Sequence, residues 1–441
     1  MQTLEQLLSG QLKGIKRLKL SCDLTEFPEA IFDLAESLEI LDLSGNRLSA
    51  LPSHFGLLKN LKIAFFSNNL FTELPAVLAA CPRLEMIGFK ANKIAVVPSE
   101  ALSPQLRWLI LTDNCIETLP ASIGSCRRLQ KCMLAGNRLQ QLPPEMANCS
   151  GLELLRISAN NIEVLPEWLF QLPRLSWLAI AGNPCCTAER ALADLPGISW
   201  DDLAVTVQLG EGASGWVSHA IWRNGAMETA VAVKLFKGQV TSDGSPDEEM
   251  KIAATAGRHP HLVQVLGNIT GHPEAKQGLV FELIPDSCKL LGNPPSFDSC
   301  TRDTFPEDAV FSLRQLLTIA QAITSAAAHL HAAGIMHGDL YCHNTLVNEE
   351  GLVLLTDYGA ACLYQGAHPG VAAALQRIEV RAFGCFVDDL LQRLAPGEAD
   401  KLLATALRNI VSECMVETVL LRPDFNGLTE KLRLIAGRTD E

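Results

Sequence analysis

The chain has 441 residues, 48% of them hydrophobic, and its formal net charge at pH 7 is -13. At this length we expect two or three domains, each large enough to bury a core of its own. The acidic balance and the lack of a long basic run argue against nucleic acid or an anionic membrane as the main ligand.

The amino-terminal residues 1–14 contain no basic start followed by an apolar run, so the sequence does not predict a secretory signal. No stretch of about 18 apolar residues occurs, and we therefore expect no membrane span. The fourteen cysteines include no C-x-x-C pair, which argues against a zinc site or a disulfide framework. These patterns favour a cytoplasmic location.

The first half of the chain is repetitive. An asparagine recurs at intervals of 23 residues, once 22, at Asn46, Asn69, Asn92, Asn114, Asn137, Asn160 and Asn183. Each stands in the pattern L-x-x-L-x-L-x-x-N-x-L-x-x-L-P or a close variant, as in residues 38–52 and 106–120. Such a period indicates a repeat architecture, in which no single unit can bury its own apolar face.

This segment resembles a leucine-rich repeat solenoid of the intracellular type. The resemblance implies one short strand per unit in a parallel sheet, leucines that point into a shared core, and asparagine amides that link neighbouring turns. An irregular unit near Ile15, Leu18 and Leu20 is expected to cap the amino-terminal end. Residues 187–195 are expected to cap the other end.

Two strand positions in each unit face the concave side and are not fixed by the repeat pattern. They carry Ile40, Ile63, Met86, Trp108, Lys131, Leu154 and Trp177, beside Asp42, Phe65, Gly88, Ile110, Met133, Arg156 and Ala179. An apolar stripe of this extent is typical of an interaction surface. We predict that it binds a protein partner or the following domain through Trp108 and Trp177, with Phe65, Ile110 and Met133 around them. The alternative is that neighbouring strands bury these side chains.

A different pattern begins at residue 203. A strand predicted over residues 203–209 leads into a loop with glycines at Gly210, Gly212 and Gly215, which allow backbone amides to close over phosphate groups. A second predicted strand, residues 231–234, ends in Lys234, whose ammonium could reach the same phosphates. The glycine pattern alone is weak evidence, but the combination is much more specific.

The most informative feature is the run His337-Gly338-Asp339-Leu340-Tyr341-Cys342-His343-Asn344, followed thirteen residues later by Asp357-Tyr358-Gly359. At this spacing the Asp339 carboxylate can face a nucleophilic hydroxyl while Asn344 and Asp357 hold magnesium on a nucleotide. The motif predicts phosphoryl transfer.

From residue 203 onward, the motifs and their order resemble a eukaryotic-like protein kinase. The resemblance implies that Lys234 holds ATP phosphates and pairs with a helical glutamate. Glu249 is the best candidate for that glutamate, although Glu248 adjoins it. Val217 and Ala232 would enclose the adenine.

The resemblance extends to the middle and the end of this region. Residues 279–284 resemble the hinge strand, where the backbones of Glu282 and Ile284 would meet the adenine edge and Phe281 would be the gatekeeper. Asp339 corresponds to the catalytic aspartate, with Asn344 and Asp357 as magnesium ligands. Two further motifs, residues 378–384 and 422–425, complete the order.

Three departures from the family bear on regulation and substrate. Gly338 replaces the usual arginine, so no guanidinium is available there to receive an activation-loop phosphate. Tyr341 replaces the lysine that serine/threonine kinases place two residues after the aspartate. No Ala-Pro-Glu follows Asp357, and residues 360–376 are a short connection, so the peptide-docking platform is expected to be truncated.

The sequence leaves three functions open. The first is a protein kinase acting on serine or threonine, which the glycine loop, the Lys234 strand and residues 422–425 favour. The second is a catalytically silent scaffold. The third is a small-molecule phosphotransferase, because His-Gly-Asp-x-x-x-x-Asn also resembles the aminoglycoside kinases. Residues 285–306, rich in proline and serine, are expected to form a mobile insertion.

The sequence therefore predicts an α/β leucine-rich repeat solenoid at residues 1–195 and an α+β bilobal protein-kinase-like domain at residues 203–441. The predicted cofactors are ATP and Mg²⁺. The predicted partner is a protein, with no role for nucleic acid or a membrane.

Overall fold

The structure is a computed structural model that describes residues 2–186, 195–212, 215–238, 244–364, 367–399 and 401–437. The chain divides into two compact units: Met1–Arg174 with Asn183–Cys185, and Leu175–Gly182 with Cys186–Glu441. The cap predicted at the end of the repeats falls almost entirely on residues 187–194, which lie outside the described residues.

Unit 1 is a parallel array of repeats. Its first element is helix α1, Leu4–Leu8. A reciprocal capping box between Thr3 and Gln6 stabilises the start of this helix. The strands that follow are β1 Arg17–Lys19, β2 Ile40–Asp42, β3 Ile63–Phe65, β4 Met86–Gly88, β5 Trp108–Ile110, β6 Lys131–Met133 and β7 Leu154–Arg156. Each pairs in parallel with the next, residue for residue.

The repeat pattern explains this register. The central strand residue of each repeat is buried, as Leu41 and Leu109 are at 0% exposure. The asparagines join successive turns: the Asn114 Oδ1 accepts from the Ile94 amide at 2.9 Å, and its Nδ2 donates to the carbonyls of Phe89 and Leu111. The predicted solenoid with an asparagine ladder is confirmed.

Unit 2 contains a mixed sheet, helices and small strand pairs. The strands are β8 Trp177–Ala179, β9 Gly197–Ser199, β10 Leu203–Glu211, β11 Gly215–Asn224, β12 Met227–Phe236, β13 Val265–Thr270, β14 Gly278–Glu282, β15 Lys289–Leu290, β16 Ile335–Met336, β17 Thr345–Val347, β18 Val353–Leu355 and β19 Cys362–Leu363. The helices are α2 Pro246–Ala256, α3 Leu313–Ala332, α4 Pro369–Leu391, α5 Leu402–Cys414 and α6 Phe425–Gly437. Within the described ranges, none of the helices is both long and apolar enough to cross a bilayer.

Six strands of unit 2 form one sheet in the order β10-β11-β12-β14-β13-β9. One face of this sheet is apolar: Val231 and Val233 of β12 pack with Val280 of β14 and with Ala220 and Ile198. Because side chains alternate along a strand, the residues between these valines lie on the opposite face. That opposite face carries the candidate site.

The α+β architecture predicted after residue 203 is confirmed. The predicted strand at residues 203–209 is β10, and residues 231–234 lie within β12. The segment 285–306, which we expected to be a mobile insertion, makes ordered contacts in the structure. It contains β15, and its Asp303 is buried at 8% exposure and bonded to His343.

Candidate active site

A cavity of about 340 Å³ opens on the polar face of the unit 2 sheet. It is lined by Gly212, Gly215, Val217, Ala232, Lys234, Glu249, Val263, Phe281, Glu282, Ile284, Leu290, Thr356, Asp357 and Tyr358. The volume is in the range of small-molecule sites. Eight of the nine residues that we predicted for the cofactor line the cavity. The ninth, Gly210, lies on β10 opposite Val217.

Strand pairing explains why these residues meet. Ala232 and Lys234 are two apart on β12 and therefore share a face. Val217 of β11 lies opposite Lys234, and Phe281 of β14 lies opposite Ala232. Position 215 requires glycine for a steric reason, because a Cβ there would lie 2.4 Å from the Leu235 carbonyl oxygen.

A buried cation lies on the wall of the cavity. The Lys234 Nζ is 2.5 Å from the Glu249 Oε1 and 3.5 Å from the Asp357 Oδ1. Lys234 is 8% exposed and Glu249 4%. Glu248 instead pairs with Lys251, which is largely exposed. Of the two glutamates that the sequence left open, the structure brings Glu249 to the lysine.

The charges of this cluster reinforce each other. Burial alone lowers the pKa of Lys234, but the nearby Asp357 and Glu249 outweigh it, and the pKa lies above its ordinary value. The Lys234 ammonium holds the pKa of Asp357 below its usual range. Both groups are therefore ionised at neutral pH.

Asp357 adopts an unusual backbone conformation. Its φ is 58°, in the left-handed region, and its Oδ1 accepts from the Gly359 amide at 3.0 Å. Non-glycine residues in this region are uncommon, and they concentrate at functional sites. The Asp357 side chain is 45% exposed, so one side of the carboxylate is open to solvent.

The loop that contains Asp339 is bonded to the strand that leads to Asp357. The Asn344 Nδ2 donates to the main-chain carbonyl and to the Oδ2 of Asp339, both at 2.9 Å. The Thr356 amide donates to the Asn344 carbonyl at 2.8 Å, and the His337 Nε2 lies 3.0 Å from the Thr356 carbonyl. The structure thus links Asp339, Asn344 and the strand that leads to Asp357, which are three of the four residues predicted for catalysis and metal binding; the fourth is Lys234.

Glu379 is a supporting residue to which sequence reasoning gave no role. It is 1% exposed on α4 and accepts from the amides of His337 and Gly338 at 3.2 and 2.6 Å. Its Oε2 also bonds the His331 Nε2 at 2.7 Å. Burial raises the pKa of this carboxylate, but its bonds to His331 and to the loop amides outweigh that, and the net pKa is lowered. The sequence signal that could have identified Glu379 is an acidic residue near the start of the motif at residues 378–384.

Asp303 is a second supporting residue that the sequence did not reveal. Its carboxylate bonds the His343 Nδ1 at 2.6 Å and accepts from the His343 amide at 3.1 Å. The neighbouring Arg302 pairs with Asp388 and Asp389 on α4. No local pattern in the proline-rich segment points to these contacts.

The predicted concave stripe is only partly exposed. Phe65, Trp108, Ile110 and Met133 are half-buried, whereas Ile63, Met86, Leu154 and Trp177 are buried. The Lys131 Nζ lies 4.3 Å from the centre of the Trp108 ring. Trp177, predicted as an anchor, is 1% exposed and therefore offers no surface to a separate protein.

Comparison with known proteins agrees with both halves of this description. The protein tyrosine and serine/threonine kinase family matches residues 203–377. Leucine rich repeat families match residues 37–58 and 127–184.

Three individual relatives each match a little over a third of the chain. A probable cyclin-dependent serine/threonine-protein kinase of Dictyostelium discoideum is 27% identical over 37% of this chain and 23% of its own length. Fibroblast growth factor receptor 1 of Xenopus laevis is 27% identical over 36% of this chain and 21% of its own length. The tyrosine-protein kinase transforming protein Abl of Abelson murine leukemia virus is 30% identical over 38% of this chain and 21% of its own length.

The chain thus spans about a quarter or less of each of these relatives, which include kinases of both acceptor types. The match at residues 203–377 covers the glycine loop, Lys234, Glu249, Asp339, Asn344 and Asp357. This protein combines leucine-rich repeats with a protein kinase domain.

Proposed function

We propose that this chain is an ATP-dependent protein kinase that transfers the γ-phosphoryl group to a serine or threonine hydroxyl of a protein. The Lys234 cluster carries the proposal. A buried ammonium held by Glu249 and Asp357 on the wall of a 340 Å³ cavity is positioned for the phosphates of a nucleotide.

The kinase domain implies ATP and a divalent metal ion, and we propose that the ion is Mg²⁺. The chemistry of Asn344 and Asp357 fits a hard cation, which prefers oxygen ligands. The Asn344 amide nitrogen is committed to Asp339, so the amide oxygen is the atom that suits the metal. When bound, Mg²⁺ would neutralise charge on the transferred phosphoryl group.

Asp339 is the residue that would orient the acceptor hydroxyl and accept its proton. The Asn344 Nδ2 bonds the Asp339 Oδ2 and so fixes the plane of the carboxylate. Glu379 holds the loop that carries Asp339 by accepting hydrogen bonds from the amides of His337 and Gly338. Gly338 offers no cation for a loop phosphate, so activity should not require prior phosphorylation after Asp357.

Radiolabelled ATP tests the proposal directly. Purified full-length protein is incubated with Mg²⁺ and a generic peptide mixture, and the labelled product is analysed for phosphoamino acids. We expect label on serine or threonine, and none with Asp339→Asn. Label on tyrosine would overturn the acceptor class, and label on a small hydroxyl compound would identify a small-molecule phosphotransferase.

A catalytically silent scaffold is the second candidate. It is favoured by Tyr341, which stands where serine/threonine kinases place a lysine and is only 4% exposed. A scaffold would show a Mg²⁺-dependent thermal shift with ATP but no transfer. Asp357→Ala should remove that shift in either case, whereas Asp308→Ala, at an exposed carboxylate of the same unit, should retain it.

We further propose that the protein acts in cytoplasmic signalling and that its repeats recruit a protein partner or substrate. Repeat arrays commonly bind proteins along an extended strand face. Ile110 and Met133 are half-buried neighbours on that face. Ile110→Asp should reduce the amount of a co-purified, cross-linked substrate about tenfold, while Val164→Asp, at a 76% exposed position, should not.

A further inference from the structure

The segment Leu175–Gly182 contacts the loop that carries Asp339, and both belong to unit 2. The Trp177 indole stacks on the Tyr341 ring with centroids 4.4 Å apart and planes 5° apart. Tyr341 in turn lies 4.7 Å from the His343 ring. His343 is bonded to the buried Asp303. The three rings therefore lie in a row, the first two stacked and the third tilted, and the Asp303 carboxylate fixes the last ring.

Polar contacts fix the same segment. The Trp177 Nε1 donates to the Leu340 carbonyl at 3.1 Å, and the Arg381 Nη1 of α4 donates to the Ser176 Oγ at 2.8 Å. Trp177 and Ser176 are 1% and 2% exposed. A buried indole N–H that finds a carbonyl partner contributes orientation as well as apolar contact.

Gly338 is shaped for this contact. Its φ is +74°, and a Cβ would lie 2.6 Å from the Leu178 carbonyl oxygen and 2.5 Å from that of Ala360. Any side chain at 338 would require the backbone at Ala360 or Leu178 to shift. Gly338 and Tyr341 are the two positions where this loop departs from the protein kinases, and both contact residues 175–182.

We propose that residues 175–182 brace the catalytic loop and that Trp177 is a positioning residue for phosphoryl transfer. Leu340 and Tyr341, which Trp177 holds, follow Asp339 directly, so their placement sets the direction of the Asp339 backbone and carboxylate. The brace lies against Gly338, the position where protein kinases usually have an arginine. This inference rests on the proposed kinase activity.

The test compares Trp177→Leu and Trp177→Phe with Trp200→Leu in the full-length protein. The half-buried Trp200 ring lies 4.3 Å from the His272 ring and serves as a tryptophan control within the same unit. Two readouts are needed: kcat with the Kd for ATP, and the rate at which iodoacetamide labels Cys342 relative to Cys414, resolved by peptide mass spectrometry. Both cysteines are 0% exposed, and Cys342 adjoins Tyr341.

We expect Trp177→Leu to raise the Cys342/Cys414 labelling ratio at least tenfold and to lower kcat at least tenfold, with the Kd for ATP within twofold. Trp177→Phe keeps a ring but loses the bond to Leu340, and both effects should be about threefold. Trp200→Leu should change neither. If Trp177→Leu does not fold, Trp177→Phe decides by the same two readouts.

Two results would overturn the proposal. One is an unchanged labelling ratio, which includes equal labelling of both cysteines. The other is a raised ratio with an unchanged kcat. If the wild-type protein transfers no phosphate, the proposed function fails, and the labelling ratio still decides whether the brace exists.

Discussion

Unit 1 and unit 2 bury polar groups in different ways. In unit 1 the buried polar side chains are mainly neutral amides in equivalent positions: Asn160 donates to the carbonyls of Leu134 and Ile157 and accepts from the Leu139 amide. In unit 2 they include ionisable side chains whose pairings do not repeat, as Lys234 with Glu249 and His331 with Glu379 show.

The difference follows from desolvation. A bonded amide costs little to bury and can recur in every repeat, whereas each buried ion loses several kcal/mol of hydration that only a well-placed partner offsets. Repeated amides therefore indicate a scaffold. Unique buried charges indicate positions where the chain requires one geometry, and in unit 2 they surround Asp339 and Asp357.

The largest expected effect of a substitution in unit 2 is on the rate of phosphoryl transfer, at Asp339. Asp339→Asn should lower the rate of transfer about 1,000-fold, or about 4 kcal/mol of barrier, because the amide cannot accept the hydroxyl proton. The thermal shift caused by ATP should persist, since Asp339 does not line the cavity. Asp308→Asn is the control. Transfer by Asp339→Asn within tenfold of wild type would remove the residue from catalysis.

Most of the fold could be predicted from sequence because its signals are local. The Asn46 to Asn183 spacing predicts the repeats, and the glycines with Lys234 predict the polar face of the sheet. The order of motifs also placed Glu249, Glu282 and Asp357 on one cavity. The repeats need only a fixed distance along the chain, whereas the placement of Glu249, Glu282 and Asp357 came from the resemblance to protein kinases.

The contacts that hold the loop could not be predicted, because they join distant parts of the chain. Trp177 and Leu340 are 163 residues apart, and Glu379 lies 41 residues from Gly338. The loss of arginine at Gly338 was visible, but its steric reason needed the position of the Leu178 carbonyl. Trp177 was predicted as an anchor for a protein partner or for the following domain, because the repeat pattern marks the face of a strand but not what covers it; the structure places it against Leu340 and Tyr341.

A substitution at Glu249 tests how much the buried ion pair of unit 2 contributes to stability. Glu249→Gln should lower the free energy of unfolding by about 3 kcal/mol, because it leaves the buried Lys234 ammonium without its nearest carboxylate. Glu248→Gln is the matched control on the same helix. Its pair with Lys251 is at the surface, so we expect a change of less than about 0.5 kcal/mol. Urea unfolding measures both, and equal losses would mean that burial of the pair does not matter.

Two adjacent asparagines, Asn160 and Asn161, test how much the buried amides of unit 1 contribute to stability. Asn160→Ala should cost about 2 kcal/mol, because the buried Leu139 amide and the Leu134 and Ile157 carbonyls lose their partner. Asn161→Ala changes an exposed side chain and should cost less than about 0.5 kcal/mol. Thermal unfolding followed by circular dichroism provides the comparison. Two variants of equal stability would contradict the ladder as a source of stability.

The smallest expected effect is a pH dependence of stability at His259, which tests whether a half-buried imidazole of unit 2 resists protonation. His259 is half-buried, its Nε2 lies 3.1 Å from the Ser325 Oγ, and its ring is 5.0 Å from that of His329. Burial, with smaller contributions from His329 and His261, lowers the pKa of His259 to about 4.

The unfolded chain therefore takes up this proton more readily than the folded chain does, and stability falls as the pH is lowered from about 6.5 towards 4. Because the ring is partly solvated, we expect the loss to be only about 1 kcal/mol. His259→Gln should remove that part of the slope in urea unfolding between pH 7 and 4.5. A His259→Gln slope equal to wild type would show that this imidazole takes up its proton equally in both states.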